Sequence, residues 1–132
     1  MATMTASAQR ESAKHHYNAM LAACPTRQLL DMISDKWVCL VLADLVTGPQ
    51  RHSQLRREIA GVSQKMLTQT LRGLERDGMV QRTITPSVPV RVDYELTPLG
   101  QDLAPVMTAI KDWAETHMEA VLAARSDYDA QP

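Results

Sequence analysis

The apolar residues of this chain change rhythm along its length, and each rhythm predicts an element. Between residues 63 and 77, Leu67, Leu71 and Leu74 fall on one side of a helix laid out at about 100° per residue. From 90 to 96, Val90, Val92, Tyr94 and Leu96 alternate with Arg91, Asp93 and Glu95, the period-two pattern of a half-buried strand. From 35 to 46 the run DKWVCLVLADLV is apolar nearly all round, which predicts a buried central helix. After residue 98, Leu99, Leu103, Val106, Ile110, Trp113 and His117 recur at spacings of four, three, four, three and four. A stripe that long predicts a dimer seam, the alternative being a helix folded back on its own domain.

Caps and breakers mark the ends of these elements. Cys24-Pro25 closes a helix over 8–23 whose weak apolar stripe is Tyr17, Met20 and Leu21. Thr26 is expected to cap a short helix with Leu29, Leu30 and Ile33 inward. Gly48-Pro49 ends the central helix, and Ser53 is expected to cap the next, where Leu55 and Ile59 stand one turn apart and Gly61 is the stop. Ser63 caps the following helix, which Asp77-Gly78 ends. A first strand over about 80–85 pairs with the one over 90–96, and Pro86 and Pro89 restrict the loop between them. Thr97-Pro98 opens the long last helix, which Pro105 is expected to kink. Helix, turn, helix and a hairpin make a winged helix. The predicted fold is mainly α with a two-stranded β wing, a winged helix-turn-helix with N- and C-terminal dimerisation helices.

Composition narrows the class. The 132 residues, 45% hydrophobic, suffice for one domain, which buries roughly two-thirds of its unfolded surface. Phe is absent, so Leu, Val, Met and Ile pack the core, with Trp37 and Trp113 as large anchors. The longest apolar run, residues 37–43, is far short of a bilayer span, and the start of the chain has no basic-then-apolar leader, so the protein is expected in the cytoplasm. Two cysteines, Cys24 and Cys39, make no disulfide framework. No phosphate-cradling glycine loop or zinc-spaced Cys/His cluster occurs, and His15, His16, His52 and His117 are scattered; the reading is no cofactor, no metal and no enzyme.

Charge then points to a partner. The formal net charge of −1 conceals a basic middle: from Arg51 to Arg91 stand eight Arg/Lys and three acids, while the remainder holds six bases and twelve acids. Opposite the leucines of the 63–77 helix stand Lys65, Thr68, Gln69, Arg72 and Arg76, with no acid in the middle of that face. Such side chains read base edges in a major groove, whereas an ordinary solvated face mixes Glu with Lys. With a basic hairpin behind it, the face predicts double-stranded DNA as partner. Ser63, Gln64, Lys65, Thr68, Gln69 and Arg72 are the candidate contacts on the recognition helix, and Arg76 serves equally as a partner for an acid. Arg82 and Arg91 are expected to meet backbone or minor groove, and Arg51, Ser53 and Arg56 to meet phosphate. Arg57 is expected to pair with acids near Glu58. The organisation is then a disordered N-terminus over 1–7 and one domain over 8–125, with a DNA-binding core at 24–97. Dimerisation helices occupy 8–23 and 98–123, the latter joined through Leu103, Val106, Ile110 and Trp113, and 126–132 is a flexible tail.

These motifs resemble the HxlR-type branch of bacterial winged-helix regulators, relatives of the MarR family. The resemblance is carried by Cys24-Pro25, Asp35-Lys36-Trp37, Arg51, Ser53-Gln54-Leu55 and Ser63-Gln64-Lys65-Met66-Leu67. It continues through Leu71, Leu74-Glu75, Asp77-Gly78, Arg82, Pro89, Tyr94, Leu96-Thr97, Gly100 and Trp113. It implies a homodimer that binds a pseudo-palindromic operator in double-stranded DNA. It also implies that Cys24, at the position of a cysteine that senses oxidants or electrophiles in some members, is regulatory. A thiol just ahead of a helix faces the helix's positive end, which favours the reactive thiolate. The plainer reading is that Cys24 is a small packing residue. Cys39, within the apolar run, reads as core. Two departures stand out: His52 replaces an aromatic residue, and Ser34-Asp35 replaces a glycine pair. Two other functions compete: a regulator whose small-molecule effector sits between wing domain and dimer helices, and a winged-helix protein-interaction module. The sequence offers no polar cluster for the first, and the second would tolerate acids at 65, 68, 69 or 72.

Overall fold

The structure, a computed structural model, describes residues 5–132, with the side chain of Leu21 outside the described set. In chain order it contains α1 (Ala6–Ala23), α2 (Pro25–Ile33), α3 (Val38–Leu45), α4 (His52–Glu58) and α5 (Gln64–Arg76), followed by β1 (Val80–Thr85), β2 (Arg91–Leu96) and α6 (Pro98–Asp129). These fall into two compact units, the first ending at Asp35 and the second spanning Lys36–Pro132.

In the second unit, Val38, Val41, Leu42 and Leu45 bury one face of α3, which packs against α6, β2 and α4. The expectation of a helix buried all round is corrected: Val46 is exposed, and Cys39 and Leu40 are half-buried. Eight residues covered from one side cannot be enclosed. Leu55, Ile59, Val62, Leu67, Leu71 and Leu74 complete the core beneath α4 and α5.

Helix α4 begins two residues earlier than a Ser53 cap predicts. Arg51 is its N-cap, and the Gln54 side-chain oxygen accepts from the Arg51 backbone N–H at 2.8 Å. That reciprocal half of a capping box satisfies the first backbone donor and leaves Ser53 inside the first turn. Ser63 caps α5 as predicted, its Oγ accepting from the Met66 N–H at 3.1 Å. At the other end of α5, Gly78 has φ +76°, and the Met79 and Gly78 N–H groups donate to Leu74 and Glu75 carbonyls at 2.9 and 3.1 Å. This is a Schellman close, which requires the left-handed residue.

The wing is antiparallel, running from Val80 opposite Leu96 to Thr85 opposite Arg91. Val80 and Leu96 bury its base, while Ile84, Val88 and Val90 are exposed. Val90 is exposed and lies outside β2, contrary to the predicted alternation, because only Val80 and Leu96 at the base of the hairpin reach the core. Gln50 and Tyr94 exchange backbone hydrogen bonds of 2.9 and 2.8 Å, adding a one-residue third strand. Thr97 caps α6, accepting from the Gly100 N–H at 3.1 Å and donating to the Gly78 carbonyl. Ala104 and Met107 bury α6 against α3, and the helix continues through Pro105 to Asp129, into the residues expected as a tail.

In the first unit, α1 packs on α2. Cys24 is the N-cap of α2 and Pro25 its first residue, so the expected cap Thr26 lies within the helix. Proline suits that position because it has no N–H to lose and its φ is already helical. No residue of α2 is fully buried: Leu29 and Ile33 are half-buried and Leu30 is exposed, as are Tyr17 and Met20 of α1. The inward trio predicted for α2 is thus only partly covered; two helices have too little surface to enclose one. Of the predicted disordered start, residues 1–4 lie outside the described set, and α1 begins at Ala6.

Candidate nucleic-acid interface

Helix α5 turns its leucines inward and leaves a polar face outward, because the two sets stand on opposite sides of its 13 residues. Gln64, Lys65, Thr68, Gln69 and Arg72 line one surface depression. His52, Ser53, Arg56, Arg57 and Gln64 line another, so Gln64 joins the two. The candidate contacts of α4 and α5 are therefore brought together in one surface. Arg57 belongs to it, rather than to a pair near Glu58. Ser63 and Arg51 are exposed beside it as the N-caps of α5 and α4.

The charges on this surface are available. Among the described residues, no ion pair involves Arg51, Arg56, Lys65 or Arg72. The wing differs. Arg82 stands 3.6 Å from Glu75, and Arg91 is held 2.9 Å from Asp93. Arg82 and Arg91 are exposed, and such pairs contribute about 0–1 kcal/mol, so either guanidinium is free to exchange its carboxylate for a phosphate.

Thr68 is the half-buried member of the face. Its hydroxyl donates to the Gln64 carbonyl at 2.8 Å and lies 3.0 Å from His52 Nε2. His52, noted in the sequence only for replacing an aromatic, thus ties the start of α4 to the middle of α5. No pattern within either helix could reveal that link, since the two residues are 16 positions apart.

A second polar cluster was invisible in the sequence. Asp44 of α3, Glu58 of α4, and Thr108 and Lys111 of α6 line a cleft with Leu40 and Ile59. Burial raises the Asp44 carboxyl to about 6, reinforced by a hydrogen bond and charge repulsion from Glu58 and opposed by Gln50 and Lys111. Cys39 lies nearby with its Sγ 3.3 Å from the Met107 carbonyl, and burial raises its thiol while Lys111 opposes the rise.

The predicted dimer residues divide. Val106, Ile110 and Trp113 are exposed, whereas Leu103 is half-buried. Trp113 stacks on His117 at 4.7 Å, extending the exposed stripe by a turn.

Comparison with known proteins gives one answer throughout. The model of the HxlR-like helix-turn-helix family matches residues 32–121. An HTH-type transcriptional regulator of Escherichia coli, YtfH, is 43% identical over 110 residues, covering 83% of this chain and 87% of the relative. The solved structure of a transcriptional regulator ytfH from Salmonella typhimurium is similar with TM-score 0.72 and 43% identity, over 80% of this chain and 94% of that one. The redox regulator HypR in its reduced form is similar with TM-score 0.70 and 34% identity, over 76% of this chain and 99% of that one.

Proposed function

The chain belongs to the HxlR-like helix-turn-helix family of transcriptional regulators, and on that premise we propose that it works as a homodimer on a pseudo-palindromic operator in double-stranded DNA. The observation that carries this is the stretch of α5 over Gln64, Lys65, Thr68, Gln69 and Arg72, which presents no acid and is joined through Gln64 to the basic start of α4. In this reading Gln64, Lys65, Thr68, Gln69 and Arg72 meet base edges in the major groove. Arg51, Ser53, Arg56 and Ser63 hold phosphates, and Arg82 and Arg91 bring the wing to the backbone or minor groove. The exposed stripe of α6 joins two protomers, and the protein acts in the cytoplasm.

The test separates base reading from phosphate holding. Arg72→Ala weakens binding to the specific site by about 1–3 kcal/mol and leaves scrambled duplex nearly unaffected. Arg91→Ala weakens both alike. Competition binding with duplex enriched from a random pool distinguishes them, and equal losses from both variants on both duplexes would remove α5 as the reading element.

The same reading makes Cys24 the regulatory residue. It is supported by the placement of Cys24 as N-cap of α2 and by the likeness to HypR, which is a redox regulator. Peroxide oxidises the thiolate to sulfenic acid, which condenses with a second thiol and releases water; a quinone instead alkylates it. DNA binding before and after diamide or a quinone, in the wild type and Cys24→Ser, is the check. If both proteins respond alike, or neither responds, Cys24 is a structural residue.

A further inference from the structure

We infer that Thr68 reads a thymine through its methyl group, with His52 as the residue that positions it; this rests on the DNA-binding reading above. A threonine in a major groove has two ways to read a base, by its hydroxyl or by its methyl. Here the hydroxyl is already occupied. It has one proton, and two acceptors stand within reach: the Gln64 carbonyl at 2.8 Å and, if unprotonated, His52 Nε2 at 3.0 Å. One arrangement satisfies every group. The threonine proton goes to Gln64, and the histidine Nε2–H donates to the threonine oxygen. The neutral Nε2–H tautomer carries that proton.

The consequence is steric. Threonine is β-branched, so fixing Oγ1 fixes χ1 and with it the methyl. Oγ1 is tied to its own helix and to α4, which leaves the methyl as the group of Thr68 not held by a hydrogen bond, and Thr68 lines a depression with Gln64, Lys65, Gln69 and Arg72. The apolar feature a base pair presents in the major groove is the thymine 5-methyl. The flanking amides and guanidinium supply bidentate hydrogen bonding to purines, so Thr68 adds discrimination that they lack.

The experiment uses the full chain and a duplex enriched from a random pool. Each thymine of the enriched site is replaced singly by deoxyuridine, which keeps base pairing and removes the methyl. One thymine per half-site is expected to respond, with binding roughly fourfold weaker for one half-site and about sixteenfold for both, the value of burying one methyl. Thr68→Ser should bind thymine and uracil duplexes equally at that position, while Thr68→Val, which keeps a methyl, should retain the preference. His52→Phe should reduce the thymine-to-uracil ratio without changing thermal stability in proportion, and His52→Gln, whose amide can donate, should restore it. The inference is overturned if no thymine responds, or if Thr68→Ser keeps the wild-type ratio. Failure to enrich any duplex over scrambled DNA would instead overturn the DNA-binding reading and this inference with it.

Discussion

Gly100 is where a single atom decides the junction between wing and last helix. A Cβ built there would lie 2.0 Å from the Met79 carbonyl oxygen, backbone that cannot swing aside. Gly100→Ala is therefore expected to destabilise the fold by about 1–3 kcal/mol or more through overpacking. Gly73, in the middle of α5, has nothing within 4 Å of its would-be Cβ, so Gly73→Ala should stabilise by about 0.5–1 kcal/mol. Urea unfolding of both variants checks the opposite signs. Asp44 gives a pH signature at the same scale. Its folded-state pKa of about 6 stands above its ordinary 3.8, so the folded protein holds this proton more tightly than the unfolded chain. The stability from that site is fully present below the ordinary value and is lost as pH rises through about 6. Asp44→Asn should flatten the dependence between those limits and raise the melting temperature at neutral pH. An unchanged slope in thermal melts across that range would refute the assignment.

At the scale of elements, α5 depends on its two ends. Ser63 satisfies the Met66 N–H, and Gly78 lets the last carbonyls close on Met79. Ser63→Ala should cost about 1 kcal/mol and Gly78→Ala about 1–2 kcal/mol, the latter because φ +76° is strained for any residue with a Cβ. Chemical denaturation measures both. If the helix frays when its cap is lost, Gln64 and Lys65 in its first turn lose position, so Ser63→Ala should also weaken specific DNA binding more than Thr26→Ala does. Thr26 lies inside α2 and caps nothing.

For the whole molecule, α6 is expected to hold the dimer. Its inner side, at Ala104 and Met107, belongs to the protomer's own core, and its outer side exposes Val106, Ile110 and Trp113. Contiguous apolar surface of that kind marks an interaction site. Ending the chain before Ala104 would remove core residues and confound the result, so the clean variants are Trp113→Ala and a stop at residue 113. Both should shift sedimentation toward monomer. Both should also flatten the salt dependence of DNA binding, which falls at about 0.9 log units per phosphate neutralised, since one head makes half the contacts. A truncated protein that still sediments as a dimer would move the interface elsewhere, with α1 next in line.

The sequence by itself determined what depends on neighbours within a turn or two. The leucine side of α5, the Ser63 cap, the Asp77-Gly78 stop, the hairpin of residues 80–85 with 90–96 apart from Val90, and the Thr97 cap are all legible, because periodicity and capping are local properties. Acid-free Lys65, Thr68, Gln69 and Arg72 are legible for the same reason: one helix displays them together. At two helix starts the local signal was misleading by two residues: Ser53 and Thr26 have the side chains of N-caps, but Arg51 and Cys24 occupy those positions. Tertiary structure alone decided the contacts between residues remote in the chain: His52 with Thr68, Gln50 with Tyr94, Gly100 on Met79, and Asp44 with Glu58 and Lys111. Each depends on how two or more elements lie against one another. That packing is fixed by the summed burial of a core whose members no short window of sequence contains.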